Sequence, residues 1–152
     1  MASSSWLRSQ STKDTRGPVV IYKKTYIDIT ASVTKPLVWI GSARRDLRKF
    51  PKQVRIDFGK ALHAAQRGTT DPAARPLKGF GGAGVLEIVD RYDTNTYRAV
   101  YVIQFAGVVY VLHVFQKKAK AGVATPKTDF DLIRKRLAQA EQQHTGGNQT
   151  HG

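Results

Sequence analysis

Apolar residues alternate with polar ones, or run together, over three neighbouring segments in the second half of the chain, residues 85–92, 97–105 and 108–115. Each segment is rich in valine, isoleucine and aromatic residues, which favour strands. The turn sequence DTNT separates the first two segments, and the tight pair Ala106–Gly107 separates the last two. The pattern therefore predicts an antiparallel meander of three strands.

A helical spacing of apolar residues precedes the meander. After a short predicted strand, KPLVWIG, Ser42 stands at the N-cap position of a helix. Ala43, Leu47 and Phe50 then follow at intervals of four and three residues, which places them on one face. Pro51 separates this helix from a second one, so that the two are expected to form an αα-hairpin. The apolar face of the second helix consists of Val54, Phe58, Ala61, Leu62 and Ala65.

The last predicted element is a helix with Thr125 as its N-cap and Pro126 as its first helical residue. The Gly- and Pro-rich segment 69–84 is predicted to be a loop. The elements thus follow the order strand, two helices, three strands and helix, which defines an α+β domain with the hairpin packed on one face of an antiparallel sheet. The apolar stripe of the last helix consists of Phe130, Ile133, Leu137 and Ala140.

The predicted elements all fall within residues 35–141, which are expected to form one domain. Residues 1–34 are predicted to be a partly disordered N-terminal extension with a strand-like segment at 18–33, because their first half offers few large apolar side chains. Residues 142–152 are polar and are predicted to be a disordered tail. No apolar run approaches the ~20 residues that span a bilayer, and we expect a cytoplasmic protein without membrane contact.

The charge balance indicates an anionic partner. The chain of 152 residues has 25 Lys and Arg against 11 Asp and Glu, a formal net charge of +14. Because contacts from Lys and Arg to phosphates supply most sequence-independent affinity for nucleic acid, nucleic acid is the first candidate. The chain has no cysteine, and its four histidines show no ligand spacing, so no disulfide, metal site or other cofactor is expected.

Three motifs together indicate a family: PLKGFGGAGVLEI at 76–88, TYRAVY at 96–101 and VLHVFQKKAKAGVATP at 111–126. They place an arginine inside the central strand, Phe-x-Lys at the end of the last strand and Thr-Pro before a helix. In these features the chain resembles the RelE/ParE superfamily of toxins from type II toxin–antitoxin systems, in its HigB-like, phage-associated branch. The resemblance covers residues 35–141.

The resemblance implies a small RelE-like fold and a metal-independent endoribonuclease that cleaves messenger RNA, as a rule on the ribosome, and so inhibits translation. It also implies a cognate antitoxin, for which a helix-turn-helix protein is expected. Cleavage of RNA without a metal needs a base at the 2′-hydroxyl, cations at the anionic phosphorane and an acid for the leaving oxygen. The site residues should therefore include arginine or lysine beside a proton acceptor.

Arg98 matches the strand arginine of the family and Lys117 its basic residue at the end of the last strand, and both are expected to stabilise the phosphorane. His113 and Glu87 are candidates for proton transfer. If no bulge interrupts the last strand, Val109, Val111, His113, Phe115 and Lys117 share one face, which makes His113 and Lys117 a candidate pair. Two structural interpretations stand beside these: His113 as a core residue, and Glu87 as the ion-pair partner of Arg98. The residues expected to bind RNA are Lys78, Arg91, Lys118 and Lys120.

Other members of the superfamily use lysines on the first meander strand and a tyrosine in the terminal segment, and this chain has neither. The general base therefore stays open between His113, Glu87, Tyr92 and Tyr101. Two other functions also stay open. One is a ParE-like inhibitor of DNA gyrase that catalyses nothing, and the other is a basic nucleic-acid-binding module unrelated to toxins.

Overall fold

A computed structural model describes residues 34–117 and 125–149 of the protein. These parts contain three helices and five strands in α+β order, which confirms the predicted fold class. The elements are β1 (Leu37–Trp39), α1 (Ala43–Arg48), α2 (Lys52–Gln66), β2 (Ala74–Pro76), β3 (Val85–Tyr92), β4 (Asn95–Val102), β5 (Val109–Lys117) and α3 (Lys127–Gln149).

The five strands form one sheet in the order β1-β5-β4-β3-β2. Strands β3, β4 and β5 are the predicted antiparallel meander, while β1 runs parallel to β5 at one edge. The β3–β4 turn consists of Asp93 and Thr94, whose φ angles of 48° and 62° suit the right-handed twist of a hairpin. In the β4–β5 loop, the Val108 amide donates to the Phe105 carbonyl at 3.3 Å across Ala106–Gly107.

Strand β2 lies inside the segment 69–84, so the prediction of a loop is wrong for Ala74–Pro76. This strand pairs antiparallel with β3, with Arg75 opposite Glu87. Proline has no amide to donate and is tolerated in a sheet at an edge strand, which is the position of β2. A three-residue edge strand with proline has no alternation that the sequence could reveal.

Two apolar clusters lie on opposite faces of the sheet. On one face, α2 contributes its predicted apolar residues, all of them buried, and packs with α1 against side chains such as Ile88 and Tyr97. On the other face, Ile133 and Ala140 of α3 pack against Val100 and its neighbours. The αα-hairpin thus covers one face, as expected, and α3 covers part of the other.

A β-bulge interrupts the pairing of β4 with β5. Val100 lies opposite His113, but the next residue, Tyr101, lies opposite Val111, which leaves Leu112 as the extra residue. Because a bulge reverses the alternation of a strand, Val111 packs with the hairpin while His113 contacts α3. The regular alternation that would place Val111 on the same face as His113 therefore does not hold, whereas His113 and Lys117, on the other side of the bulge, do share one face.

Helix α3 continues to Gln149, so residues 142–149 are helical and not a disordered tail. Its added turns have contacts that the sequence did not indicate. The His144 ring lies 5.1 Å from the Phe105 ring, and its Nδ1 atom lies 3.4 Å from the Tyr110 hydroxyl. None of the helices that the structure describes is long and apolar enough to cross a membrane.

Several sequence predictions fall on residues outside the described ranges. They are the N-terminal extension up to residue 33, with its strand-like segment, and the RNA-binding roles of Lys118 and Lys120. The division of the chain into an N-terminal extension and a domain stays a prediction.

Candidate functional site

A cavity of about 500 Å³ opens on the α3 side of the sheet, beside the edge strand β2. It brings together three residues that the sequence analysis selected, Lys78, Glu87 and Arg98, and adds a third cation, Arg75. Its walls are otherwise largely apolar. The lining residues are Arg75, Pro76, Leu77, Lys78, Glu87, Arg98, Thr125 and Phe130.

Glu87 and Arg98 form a buried ion pair at this cavity. The Arg98 Nη1 atom donates to Glu87 Oε2 at 2.6 Å, and the two side chains are 5% and 7% exposed. In the sheet, Arg98 lies opposite Val89 and Glu87 opposite Val100, so the pair joins β4 to β3 diagonally. Glu87 is thus the ion-pair partner of Arg98, as the structural interpretation of the sequence predicted. The pair holds the Arg98 guanidinium beside the cavity.

Arg75 is a second partner of the same carboxylate. Its Nε atom lies 3.5 Å from Glu87 Oε1, and its side chain is 54% exposed. Glu87 therefore bridges one buried and one exposed guanidinium, and it fixes both at the cavity. Sequence reasoning missed Arg75 because it lies on the edge strand that was predicted to be a loop.

Lys117 and Arg91 lie further along the same face of the sheet. In the sheet, Arg91 of β3 and Lys117 of β5 both lie opposite Thr96 of the central strand β4. Arg98 is two residues away from Thr96 and therefore lies on the same face of β4. Lys117 is buried and Arg91 is exposed. These two cations thus extend the positive charge of the cavity toward the β3–β4 turn, although neither is among the residues that line it.

His113 is buried and uses both of its ring nitrogens. Its Nε2 atom lies 2.8 Å from Asp129 Oδ1, and its Nδ1 atom lies 3.3 Å from Arg136 Nη1. A guanidinium can only donate, so Nδ1 accepts and the Nε2–H group donates to Asp129. The ring also stacks on Phe115, with the centroids 4.9 Å apart.

Burial lowers the pKa of His113, and the neighbouring Arg136 adds to this effect, while the hydrogen bond that the ring donates to Asp129 opposes it. The neutral ring therefore fits its surroundings. It is not among the lining residues of the cavity. The structural interpretation of His113, a satisfied core residue, agrees with these contacts, and proton transfer by His113 would require that they break.

Arg136 of α3 has a buried guanidinium that links this helix to β5 and to the start of α1. It donates to the Leu112 carbonyl at 3.0 Å on β5 and to the Ser42 hydroxyl at 2.9 Å before α1. Ser42 in turn donates to Asp46 Oδ2 at 2.6 Å, so its side chain does not cap α1 as predicted. Burial lowers the pKa of Arg136, and Asp46 opposes that shift.

The two tyrosines considered as general bases lie elsewhere. Tyr101 is fully buried on the hairpin side of the sheet, where burial and, to a smaller extent, Asp71 raise its pKa to about 12. Tyr92 is exposed at the end of β3. Neither is among the residues that line the cavity. Within residues 34–117 and 125–149, no group of three or more His, Cys, Asp or Glu side chains could hold a metal ion.

Comparison with known proteins places the chain in a family. Residues 45–138 match the family described as phage-derived protein Gp49-like, and the chain belongs to that family. This membership confirms the superfamily that the motifs predicted, whereas the HigB-like branch stays a prediction. A comparison with curated protein sequences gave no significant match.

Two solved structures are similar to this chain. One is a mutant of the E. coli toxin RelE in the free state, with 25% identity and a TM-score of 0.48 over 68% of this chain and 98% of that one. The other is the toxin–antitoxin complex RelBE2 from Mycobacterium tuberculosis, with 24% identity and a TM-score of 0.36 over 55% of this chain and 99% of that one.

Proposed function

We propose that this protein is the toxin of a type II toxin–antitoxin system and cleaves messenger RNA in the cavity beside β2, while the message is held by the ribosome. The single observation that carries the proposal is the convergence of Arg75, Lys78 and Arg98 with one carboxylate, Glu87, on a single cleft. Three cations in a cleft suit a phosphodiester, whose charge grows when it becomes a phosphorane.

The reaction needs no covalent intermediate with the protein. The 2′-hydroxyl gives up its proton and attacks the adjacent phosphorus, and the 5′-oxygen of the next nucleotide leaves and takes a proton from water, so that a 2′,3′-cyclic phosphate and a 5′-hydroxyl remain. In this scheme Arg98 binds the two non-bridging oxygens of the phosphorane, since a guanidinium can donate two parallel hydrogen bonds. Its buried position strengthens that interaction, because charges interact more strongly where water is excluded.

Arg75 and Lys78 provide further positive charge for the phosphate in this scheme. They approach the same phosphate, or its neighbour, from the solvent side of the cavity, where both side chains are exposed. Lys117 is assigned phosphate binding here instead of the catalytic role expected from the sequence, because it is not among the residues that line the cavity. It binds phosphates further along the RNA together with Arg91, and Lys118 and Lys120 keep the RNA-binding role predicted for them. Each phosphate contact adds to affinity in a manner that salt weakens.

Glu87 has two roles in the proposed reaction. It fixes the two guanidiniums through its 2.6 Å and 3.5 Å contacts, and it is the carboxylate available at the cavity to take the proton of the 2′-hydroxyl. His113 is assigned a structural role here instead of the catalytic one considered from the sequence, because both of its ring nitrogens already have partners.

The partners follow from the same proposal. Messenger RNA and the ribosome are the targets, and an antitoxin neutralises the toxin, as in the complex that the RelBE2 structure is named for. The net charge of +14 supports polyanionic partners. A cytoplasmic location is part of the proposal.

The test is expression of the wild type, of Arg98→Ala and of Arg44→Ala, with primer extension on cellular messages. Arg44 is exposed on α1, on the opposite side of the sheet, and controls for the loss of one positive charge. We expect new RNA ends with the wild type and Arg44→Ala but not with Arg98→Ala. Growth arrest by the wild type without new RNA ends would refute the nuclease and favour a gyrase inhibitor, which a supercoiling assay would detect.

A further inference from the structure

A glycine-rich segment, Lys78–Gly84, joins β2 to β3 at the rim of the cavity. It leaves the sheet at Leu77 and returns at Val85, where the Leu77 amide donates to the Val85 carbonyl at 2.9 Å. All of its glycines have positive φ, from 58° at Gly81 to 94° at Gly79. Because glycine has more conformational freedom than any other residue, such a segment has little preference for one conformation by itself.

Two residues of α3 hold the glycine-rich segment at its first residues. The Phe130 ring lies 4.9 Å from the Phe80 ring, and Arg134 Nη2 donates to the Gly79 carbonyl at 3.3 Å. The Arg134 guanidinium also lies 5.0 Å from the centre of the Phe130 ring and 5.5 Å from that of Phe80. Residues four apart lie on the same face of a helix, so Phe130 and Arg134 form one attachment surface.

The contact at Gly79 is too close for any other residue. A Cβ atom at this position would lie 2.6 Å from Cζ of Phe130, and the φ of 94° is one that side chains rarely adopt. This attachment also lies beside the proposed active-site cavity. Lys78 directly precedes Gly79 and lines the cavity together with Arg98, and Phe130 lines the same cavity.

We propose that Phe130 and Arg134 are positioning residues that hold Gly79 and Phe80 so that the Lys78 ammonium meets a phosphate of the bound RNA. This inference rests on the proposed function, since it concerns the same cavity. Neither positioning residue has to touch the phosphate in this account. Their effect on RNA binding passes through Lys78.

The dependence of affinity on salt separates this role from a direct one. On single strands, each lost phosphate contact lowers the slope of log K against log salt by about 0.7. Phe130→Leu changes no charge, so a lower slope in this variant reports the loss of a contact made by another residue. If the ring itself touched RNA, the affinity would fall while the slope stayed constant.

The experiment measures binding of a short single-stranded RNA, methylated at every 2′-oxygen so that it cannot be cleaved, to the full chain at several salt concentrations. The variants are Lys78→Gln, Phe130→Leu and the double variant, with Lys60→Gln as the control for charge, because Lys60 is exposed on α2. Gly79→Ala is a second charge-neutral variant that disturbs the contact from the other side, should Phe130→Leu fold poorly.

We expect Lys78→Gln and the charge-neutral variants each to lose about 0.7 from the slope, as one phosphate contact predicts. The double variant should lose no more than Lys78→Gln alone, and Lys60→Gln should retain the wild-type slope. The inference is overturned if Phe130→Leu and Gly79→Ala keep the wild-type slope, or if Lys78→Gln does. Failure of the proposed function gives a different result: Arg98→Gln would then keep the wild-type slope, and wild type would produce no RNA ends.

Discussion

Glu87 and Arg98 lie 2.6 Å apart on neighbouring strands, both buried, with the cavity beside them. The same carboxylate is 3.5 Å from Arg75 of the edge strand. One acidic side chain thus orients two guanidiniums toward the space where we place the phosphate. Because the contact has both a structural and a chemical role, variants of Glu87 have to be assessed by binding and by turnover separately.

Glu87→Gln keeps the shape of the side chain but removes its charge and its ability to take a proton. We expect cleavage to slow by about 100-fold or more, as loss of a general base does. Binding of the 2′-methylated RNA should be unchanged or tighter, because the side-chain amide oxygen can still accept the hydrogen bond from Arg98 while a negative charge near the phosphate is removed. Single-turnover cleavage and equilibrium binding measure the two effects, with Glu141→Gln on the exposed side of α3 as the control. A parallel loss of binding and cleavage would contradict the assignment.

Arg75→Ala should affect RNA and leave the fold nearly intact. The side chain is 54% exposed, and exposed ion pairs contribute about 0 to 1 kcal/mol to stability. We expect a change in the free energy of unfolding within that range, measured in urea, together with weaker binding of the methylated RNA and a lower salt slope. Arg67→Ala, exposed at the end of α2, is the matched control. If Arg75→Ala binds RNA as tightly as wild type does, Arg75 does not contact the RNA.

The sequence was sufficient to predict the α+β class, the meander, the hairpin and the apolar stripe of α3, because each has a periodic pattern of apolar residues. It also selected Glu87 and Arg98 and raised the possibility that they pair. It missed Arg75, because a three-residue edge strand with proline shows no period.

Two further differences have physical causes that lie outside local sequence. The bulge at Leu112 depends on how β5 pairs with β4, and it decides which face His113 occupies. The bonds of His113 to Asp129 and Arg136 join residues far apart in the chain, so no spacing could reveal them. The added turns of α3 likewise contact residues far away in the chain, since His144 lies against Phe105 of the β4–β5 loop and Tyr110 of β5.

His113 gives the fold a predictable response to pH. Its pKa is lowered in the folded state, chiefly by burial, so near its ordinary value of 6.5 the unfolded chain binds more protons than the folded one. The contribution of the neutral His113 ring to stability is therefore fully present above that pH, and it is lost as the pH falls toward the lowered pKa. Urea unfolding between about pH 5 and pH 7.5 should show this loss.

The comparison that isolates His113 is the variant His113→Gln. It should be less stable overall, but the pH dependence of its unfolding free energy should be flatter than that of wild type over the same range. The exposed His63 on α2 provides the control, and His63→Gln should retain the wild-type dependence. If His113→Gln keeps that dependence as well, the ring does not have the buried, neutral role described above.

Gly41→Ala should destabilise the fold more than Gly68→Ala. Both glycines have positive φ, 57° and 81°, where a side chain costs about 1–2 kcal/mol. Only at Gly41 would the new Cβ meet another group, the Arg136 guanidinium at 3.0 Å, whereas nothing lies within 4 Å of it at Gly68. The difference between the two unfolding free energies thus reports how firmly Arg136 is held. Equal losses would mean that Arg136 moves aside freely.

The chemical nature of the RNA ends tests the central claim most directly. Purified protein, in the presence of translating ribosomes, is incubated with a message, and the fragments are examined for their terminal groups. Attack by the 2′-hydroxyl predicts a 5′-hydroxyl on one fragment and a 2′,3′-cyclic phosphate on the other, with neither formed by Arg98→Ala. Fragments that carry 5′-phosphates, or equal cleavage by Arg98→Ala, would contradict the account.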